Sequence, residues 1–120
     1  MRILFVDDLK DARDLFRIAF SMQGHTVELA SNGAEAVAAV QNSEPFDVIV
    51  MDVEMPEMNG WDAVRAIRSL PGGRKLPIVM FTAYGNGITL KLAREVGADD
   101  VLHKPLSPYE LLARVQQLAA

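Results

Sequence analysis

VIVMDVEMPEMNG, residues 48–60, is the stretch on which the fold turns. Four apolar residues, Val48 to Met51, run without interruption into Asp52, and a proline-containing acidic turn follows, closed by Gly60. A short apolar run bounded by turn residues reads as a strand buried on both faces. Ending such a strand on a carboxylate makes that acid either a turn residue or a reactive group. The flanking chain decides between them.

Working outward, the run extends over 46–51 (FDVIVM), and four others repeat its character: 2–6 (RILFV), 26–30 (TVELA), 77–81 (PIVMF) and 100–103 (DVLH). Between them the spacing turns helical. Ala12, Leu15, Phe16, Ala19 and Phe20 form an i, i+3, i+4, i+7, i+8 stripe. Residues 32–41 are rich in helix formers, with Asn32 as N-cap and Glu35 three residues on. The stretch 59–70 starts after Pro56 and is stopped by Pro71-Gly72-Gly73. Residues 88–97 end on a capping glycine. Residues 107–119 open with Ser107, Pro108 and Glu110, a full capping box.

Five strands alternating with five helices imply a parallel sheet covered on both faces. The first and third strands are the most continuously apolar and belong in the centre. Right-handed crossovers then give an α/β, doubly wound (βα)5 domain in the flavodoxin-like strand order 2-1-3-4-5. The expected exposed loop is 71–75 (PGGRK), and the expected mobile one is 84–87 (YGNG).

Composition bounds what such a domain does. At 120 residues, half of them hydrophobic, the chain reads as one domain over 1–120 with enough apolar surface for a core. A net charge of −4 argues against general nucleic-acid binding, which needs a basic patch. With no cysteine, disulfides and thiol chemistry are excluded. The opening MRILFVDD is too short for a signal peptide. No run approaches the ~20 apolar residues of a membrane span, so a cytoplasmic protein without membrane contact is expected.

In an open parallel sheet, sites form at the carboxyl ends of the strands. Those ends carry Asp7 and Asp8, Asp52, Thr82 and Lys104. Taken singly each has a plain structural reading: a helix cap, the start of a turn, a strand-end hydroxyl, a solvated lysine. Taken together they place three carboxylates, a hydroxyl and an ammonium on one edge, from segments far apart in sequence. Crowded carboxylates repel unless a cation is present. Oxygen ligands alone suit Mg²⁺, and the absence of Cys from the chain, and of His from this set of residues, argues against zinc. A carboxylate is also a nucleophile for phosphoryl transfer. Lys104, Thr82 and the metal would then spread the charge of the transition state. Asp52 is thereby read as the acceptor of a phosphoryl group.

Val6-Asp7-Asp8, the stretch 48–60, MFTA at 80–83, GADD at 97–100 and Lys104-Pro105 together resemble the receiver (CheY-like) domain of bacterial two-component response regulators, over essentially the whole chain. The resemblance implies that Asp52 takes its phosphoryl group from a phosphohistidine on a sensor histidine kinase or phosphotransfer protein. It implies Mg²⁺ held directly by Asp8 and Asp52, by the backbone carbonyl of Glu54, and by Asp7 mostly through water. Thr82 would be the switch hydroxyl with the Ala83 N–H beside it, and Lys104 would pair with a phosphoryl oxygen. The Lys104–Pro105 bond would be cis. A downstream protein target or output domain would read a change on the face of the fourth helix, fifth strand and fifth helix, and a phosphorylation-dependent dimer is compatible with this. One position departs from the pattern: Val101 stands where the family often has an inward-turning Tyr or Phe.

Other residues carry lesser expectations. His103 is an outward-facing strand residue, Trp61 is partly buried packing, and Met51, Met55 and Met58 fill core and loop. Tyr84 would shield the acyl phosphate from water, and Gly85 and Gly87 would loosen the start of the fourth helix.

Three rivals stand beside this reading. An aspartyl-nucleophile phosphatase usually has a second Asp two residues on, where this chain has Glu54. Flavin binding needs a phosphate loop after the first strand, and Asp7-Asp8-Leu9-Lys10-Asp11 would repel phosphate. A receiver-like interaction module without phosphorylation would leave the five core residues unexplained. The expectation is a signalling switch with only slow self-catalysed phosphoryl chemistry, not an enzyme.

Overall fold

The apolar runs become strands because each side chain, above or below the pleat, finds a helix to bury against. The computed structural model describes residues 1–83 and 90–119. Along the chain alternate β1 (Arg2–Val6), α1 (Lys10–Met22), β2 (Thr26–Ala30), α2 (Gly33–Asn42), β3 (Val48–Met51), α3 (Gly60–Arg68), β4 (Ile78–Thr82), α4 (Leu90–Val96), β5 (Asp100–His103) and α5 (Pro108–Ala119). The strands form one parallel sheet in the order β2-β1-β3-β4-β5, the expected doubly wound topology. No helix among the described residues is long and apolar enough to cross a membrane.

The period of two along each strand sorts the core into two layers. Leu4, Val6, Ile49, Met51, Ile78 and Met80 face α2, α3 and α4. Ile3, Phe5, Val48, Val50, Val79 and Phe81 face α1 and α5. In the second layer Phe16 stacks on Phe5 at 4.9 Å and meets Phe81 edge-on at 5.7 Å. These rings narrow the buried stripe of α1. Phe16 and Phe20 are buried, but Leu15, expected in the same stripe, is 55 % exposed.

Local chemistry sets the element ends. Asn32 Oδ1 accepts the Glu35 N–H at 2.8 Å, and Asn59 Oδ1 accepts that of Asp62 at 2.9 Å. Ser107 and Glu110 exchange backbone-to-side-chain bonds at 3.2 Å each, completing the box at the start of α5. Gly97 closes α4 at φ 121°, a conformation that favours glycine. Three strand boundaries differ from expectation: the start of β3 and both ends of β4, which begins at Ile78 rather than Pro77. β3 begins at Val48, not Phe46: the Phe46 ring lies under the Arg2 guanidinium, and the Asp47 carboxylate accepts the Arg2 N–H. β4 runs to Thr82, whose carbonyl accepts the Lys104 N–H at 2.8 Å. In the loop 71–75 Gly73 is buried, because its Cα packs on the Ile67 carbonyl where a Cβ would not fit.

Candidate functional site

β1 and β3 are neighbours in register, with Val6 opposite Met51, so the residues that follow them meet at one end of the sheet. Asp52 donates its N–H to the Val6 carbonyl at 3.0 Å, and Asp7 donates its own to Ala30 at 3.1 Å. Oxygens of Asp7, Asp8 and Asp52 lie within 4.8 Å of one another. Lys104 arrives from the end of β5, with Nζ 2.8 Å from Asp7 Oδ2, 3.5 Å from Asp52 Oδ2 and 5.4 Å from the Phe81 ring centre. The peptide between Lys104 and Pro105 is cis. Thr82 occupies the end of β4, tied through its carbonyl to the Lys104 N–H.

Burial makes this edge unusual: Asp7 is 1 % exposed, Asp52 8 % and Thr82 1 %. Asp7 is fully engaged, its Oδ1 accepting the Leu9 N–H at 2.9 Å while Oδ2 takes Lys104. Asp52 Oδ1 accepts the Val53 N–H at 2.8 Å, which leaves Oδ2 as the oxygen facing Lys104. The Asp52 carboxyl is pushed up to about 6, chiefly by burial; Lys104 pulls it down, Asp7 pushes it up, the Val53 N–H lowers it and Asp8 adds a final push. Burial works to lower Lys104, yet its bond to Asp7 and the charges of Asp52 and Asp7 outweigh this and raise it. One ammonium pairs with two of the three carboxylates. That surplus of negative oxygen, with no sulfur or nitrogen donor in the cluster, fits a hard divalent cation such as Mg²⁺.

Residues 3–116 match the family described as the response regulator receiver domain. The chain belongs to that family. The receiver domain is 42% identical over 118 residues to response regulator MprA of Mycobacterium leprae, covering 98% of this chain and 50% of that protein. It thus spans half the length of this relative. Among solved structures, chemotaxis response regulator CheY4 of Vibrio cholerae aligns with a TM-score of 0.89 at 35% identity, over 98% of this chain and 97% of that one. The receiver domain of sensor histidine kinase PA1611 from Pseudomonas aeruginosa PAO1, solved with a magnesium ion coordinated in its active-site cleft, aligns at 0.88 and 29% identity, over 98% and 96% of the two chains. Receiver domains of response regulators work in phosphorelay signalling as switches rather than as conventional enzymes.

Asp7, Asp8, Asp52 and Lys104 are thus brought together in the receiver domain, with Thr82 buried at the adjoining strand end. Ala83 and the Glu54 side chain are exposed beside it. Val101 packs against the layer under α3 and α4, opposite Met80. His103 is exposed; Trp61, Met55 and Met58 are partly buried against the same layer, and Met51 is fully buried. Tyr84, Gly85, Gly87 and the start of the expected fourth helix lie outside the described residues.

Three features of the site escaped sequence reasoning. Gly60 does more than close a turn: its Cα lies against the Asp52 carbonyl, where an added Cβ would collide with backbone. Gly33 does the same for the following loop, donating to the Met58 carbonyl at 3.0 Å. Glu57 adopts φ 68°, held by the Asn32 amide on its carboxylate at 3.3 Å. An Asn-Gly pair stands at 32–33 and another at 59–60; the sequence reading makes Asn32 a helix cap and Gly60 the close of a turn, and neither reading reaches these backbone contacts.

Proposed function

We propose that Asp52 accepts a phosphoryl group from a phosphohistidine on a sensor histidine kinase or phosphotransfer protein. The supporting observation is a buried carboxylate with one oxygen turned to an ammonium 3.5 Å away, inside a cluster of three acids. Asp52 Oδ2 attacks phosphorus in line, the P–N bond breaks, and the imidazole keeps the electron pair. The Val53 N–H on Oδ1 holds the carboxylate in that orientation throughout. Lys104, which then shifts from the carboxylates to a phosphoryl oxygen, stabilises charge developing on the transferred group. The Thr82 hydroxyl and the Ala83 N–H, at the end of β4, serve the remaining oxygens.

Asp8, Asp52 and the Glu54 carbonyl would hold Mg²⁺ directly. Asp7, whose two carboxylate oxygens already serve Leu9 and Lys104, would act mostly through water. The bound ion supplies charge neutralisation for the acid cluster and the incoming phosphoryl oxygens. Residues 1–120 form one receiver unit working in the cytoplasm, with no direct nucleic-acid or membrane contact. Phosphorylation changes the face of α4, β5 and α5, which a downstream target, an output domain or a second copy reads. With Val101 in place of an aromatic, that change proceeds without a rotating ring. The phospho-form is lost by slow self-catalysed hydrolysis.

Intact-mass analysis after incubation with acetyl phosphate tests the reading, with and without Mg²⁺, on wild type and Asp52→Asn. A single Mg²⁺-dependent phosphoryl addition, absent in the variant, is the expected result. No addition to the folded wild-type protein would replace the reading with a phosphorylation-independent interaction module.

A further inference from the structure

The β1–α1 corner carries a guanidinium that the acceptor chemistry does not use. Arg13, one turn into α1 and half-buried, donates from Nη1 to the backbone carbonyl of Asp7 at 2.9 Å. With that bond every polar group of Asp7 has a partner. Its N–H goes to Ala30 at the end of β2, Oδ1 to the Leu9 N–H at the entry of α1, and Oδ2 to Lys104 after β5.

The Asp7 carbonyl belongs to the peptide unit that also contains the Asp8 nitrogen. Because that unit is planar, fixing the carbonyl fixes the direction in which the chain enters Asp8. Asp8 is exposed, so the aim of its carboxylate depends on the backbone beneath it. Arg13 supplies a charge-assisted bond to that backbone from a neighbouring helix, which is stronger than a neutral one.

We propose that Arg13 is a positioning residue for divalent-cation binding: by holding the Asp7–Asp8 peptide plane, it keeps the two carboxylates aimed at a common ion. The inference rests on reading the acid cluster as a Mg²⁺ site. Charge and positioning make opposite demands here. Arg13 brings a positive charge to the backbone that joins Asp7 to Asp8, so on charge alone its removal tightens cation binding. Loss of the peptide anchor weakens it. Outer partners of metal ligands are typically worth roughly ten- to a hundredfold in affinity, and a partner acting through backbone belongs near the tenfold end.

The experiment is calorimetric titration of Mg²⁺ into the full chain, as wild type, Arg13→Met and Arg13→Lys. Arg13→Met keeps an apolar stem without donors and is expected to bind about tenfold more weakly. Arg13→Lys retains an ammonium donor and is expected to recover most of the affinity. Phosphorylation of Arg13→Met by acetyl phosphate is expected to return to the wild-type rate at saturating Mg²⁺, because Arg13 touches neither Asp52 nor Lys104. A purely structural role would lower the metal-free melting temperature and leave the affinity of the folded protein unchanged. Arg13→Met binding as tightly as wild type, or more tightly, overturns the inference while leaving the Mg²⁺ reading intact. Wild type that takes up no Mg²⁺ removes both. Should Arg13→Met fail to fold, Arg13→Gln in the same titration decides the matter on the same criterion.

Discussion

The two ends of the sheet hold cation–carboxylate clusters built from similar residues and balanced in opposite ways. At the amino ends of β4 and β5, Arg68 is 17 % exposed along its side chain and donates to the carbonyls of Gly97, Gly73, Arg74 and Leu76. It also pairs with Asp99 Oδ2 at 3.0 Å, an oxygen that accepts the Ile78 N–H at 2.8 Å. One guanidinium meets one carboxylate and a ring of carbonyls. At the carboxyl ends, Lys104 faces Asp7 and Asp52 with Asp8 alongside. The first cluster is electrostatically closed and ties α3, α4 and the sheet together. The second keeps surplus negative charge beneath limited solvent, which favours a cation that relieves it. Balance, more than residue type, separates a closed ion pair from a cluster that still favours a cation.

Removing the cation at each end sharpens the contrast. Arg68→Ala is expected to cost about 3 kcal/mol, because partly buried carbonyls and Asp99 lose their partner together. Chemical denaturation with and without Mg²⁺ checks it, and Mg²⁺ should return none of the loss. Lys104→Met is expected to cost about 2 kcal/mol at pH 7.5 without metal, and Mg²⁺ should return most of it. Lys104 has its folded value raised, so its contribution is complete below its ordinary 10.5 and fades only as pH climbs past the folded value. The cost of losing Lys104 should nonetheless shrink as pH falls through about 6, where Asp52 takes up a proton. If Mg²⁺ rescued both variants alike, the two ends would not differ as described.

Removing an acid reverses the sign. The Asp52 carboxyl, raised from 3.8 to about 6, favours the folded state fully below 3.8 and loses that contribution as pH rises through 6. Metal-free Asp52→Asn is therefore expected to be more stable than wild type above pH 6, by about 1.5 kcal/mol once the amide donors then facing Lys104 are allowed for. The gap should close toward pH 4, and paired melting curves across that range measure it. Ser107→Ala, whose side chain caps α5 and joins neither cluster, sets the scale of an ordinary defect. It should cost about 1 kcal/mol through the lost cap of α5, with no dependence on Mg²⁺.

What the sequence disclosed follows from what leaves a one-dimensional trace. Val48 to Met51 announce a strand buried on both faces, and Asp52 announces its end, so topology and the acids at the strand ends were legible together. The boundaries slipped where side chains compete with the ladder, as Phe46 and Asp47 do by engaging Arg2. Leu15 was misplaced because helical periodicity cannot tell a wide buried stripe from one narrowed by four packed rings. At the site, Asp7, Asp8, Asp52 and Lys104 could be inferred from position alone. Gly60 against the Asp52 carbonyl and Arg13 on the Asp7 carbonyl could not, since contacts to backbone leave no residue-type pattern.

The pairing of Lys104 with Asp7 joins residues 97 positions apart. Contacts of such long range are costly to close and are rewarded only when the intervening chain has taken its place. During synthesis the acids at the ends of β1 and β3 leave the ribosome well before the lysine that neutralises them. A nascent chain therefore holds repelling carboxylates and no complete acid–lysine cluster until β5 has joined the sheet. Completion of this cluster is in this way a certificate that the sheet from β1 to β5 has been assembled.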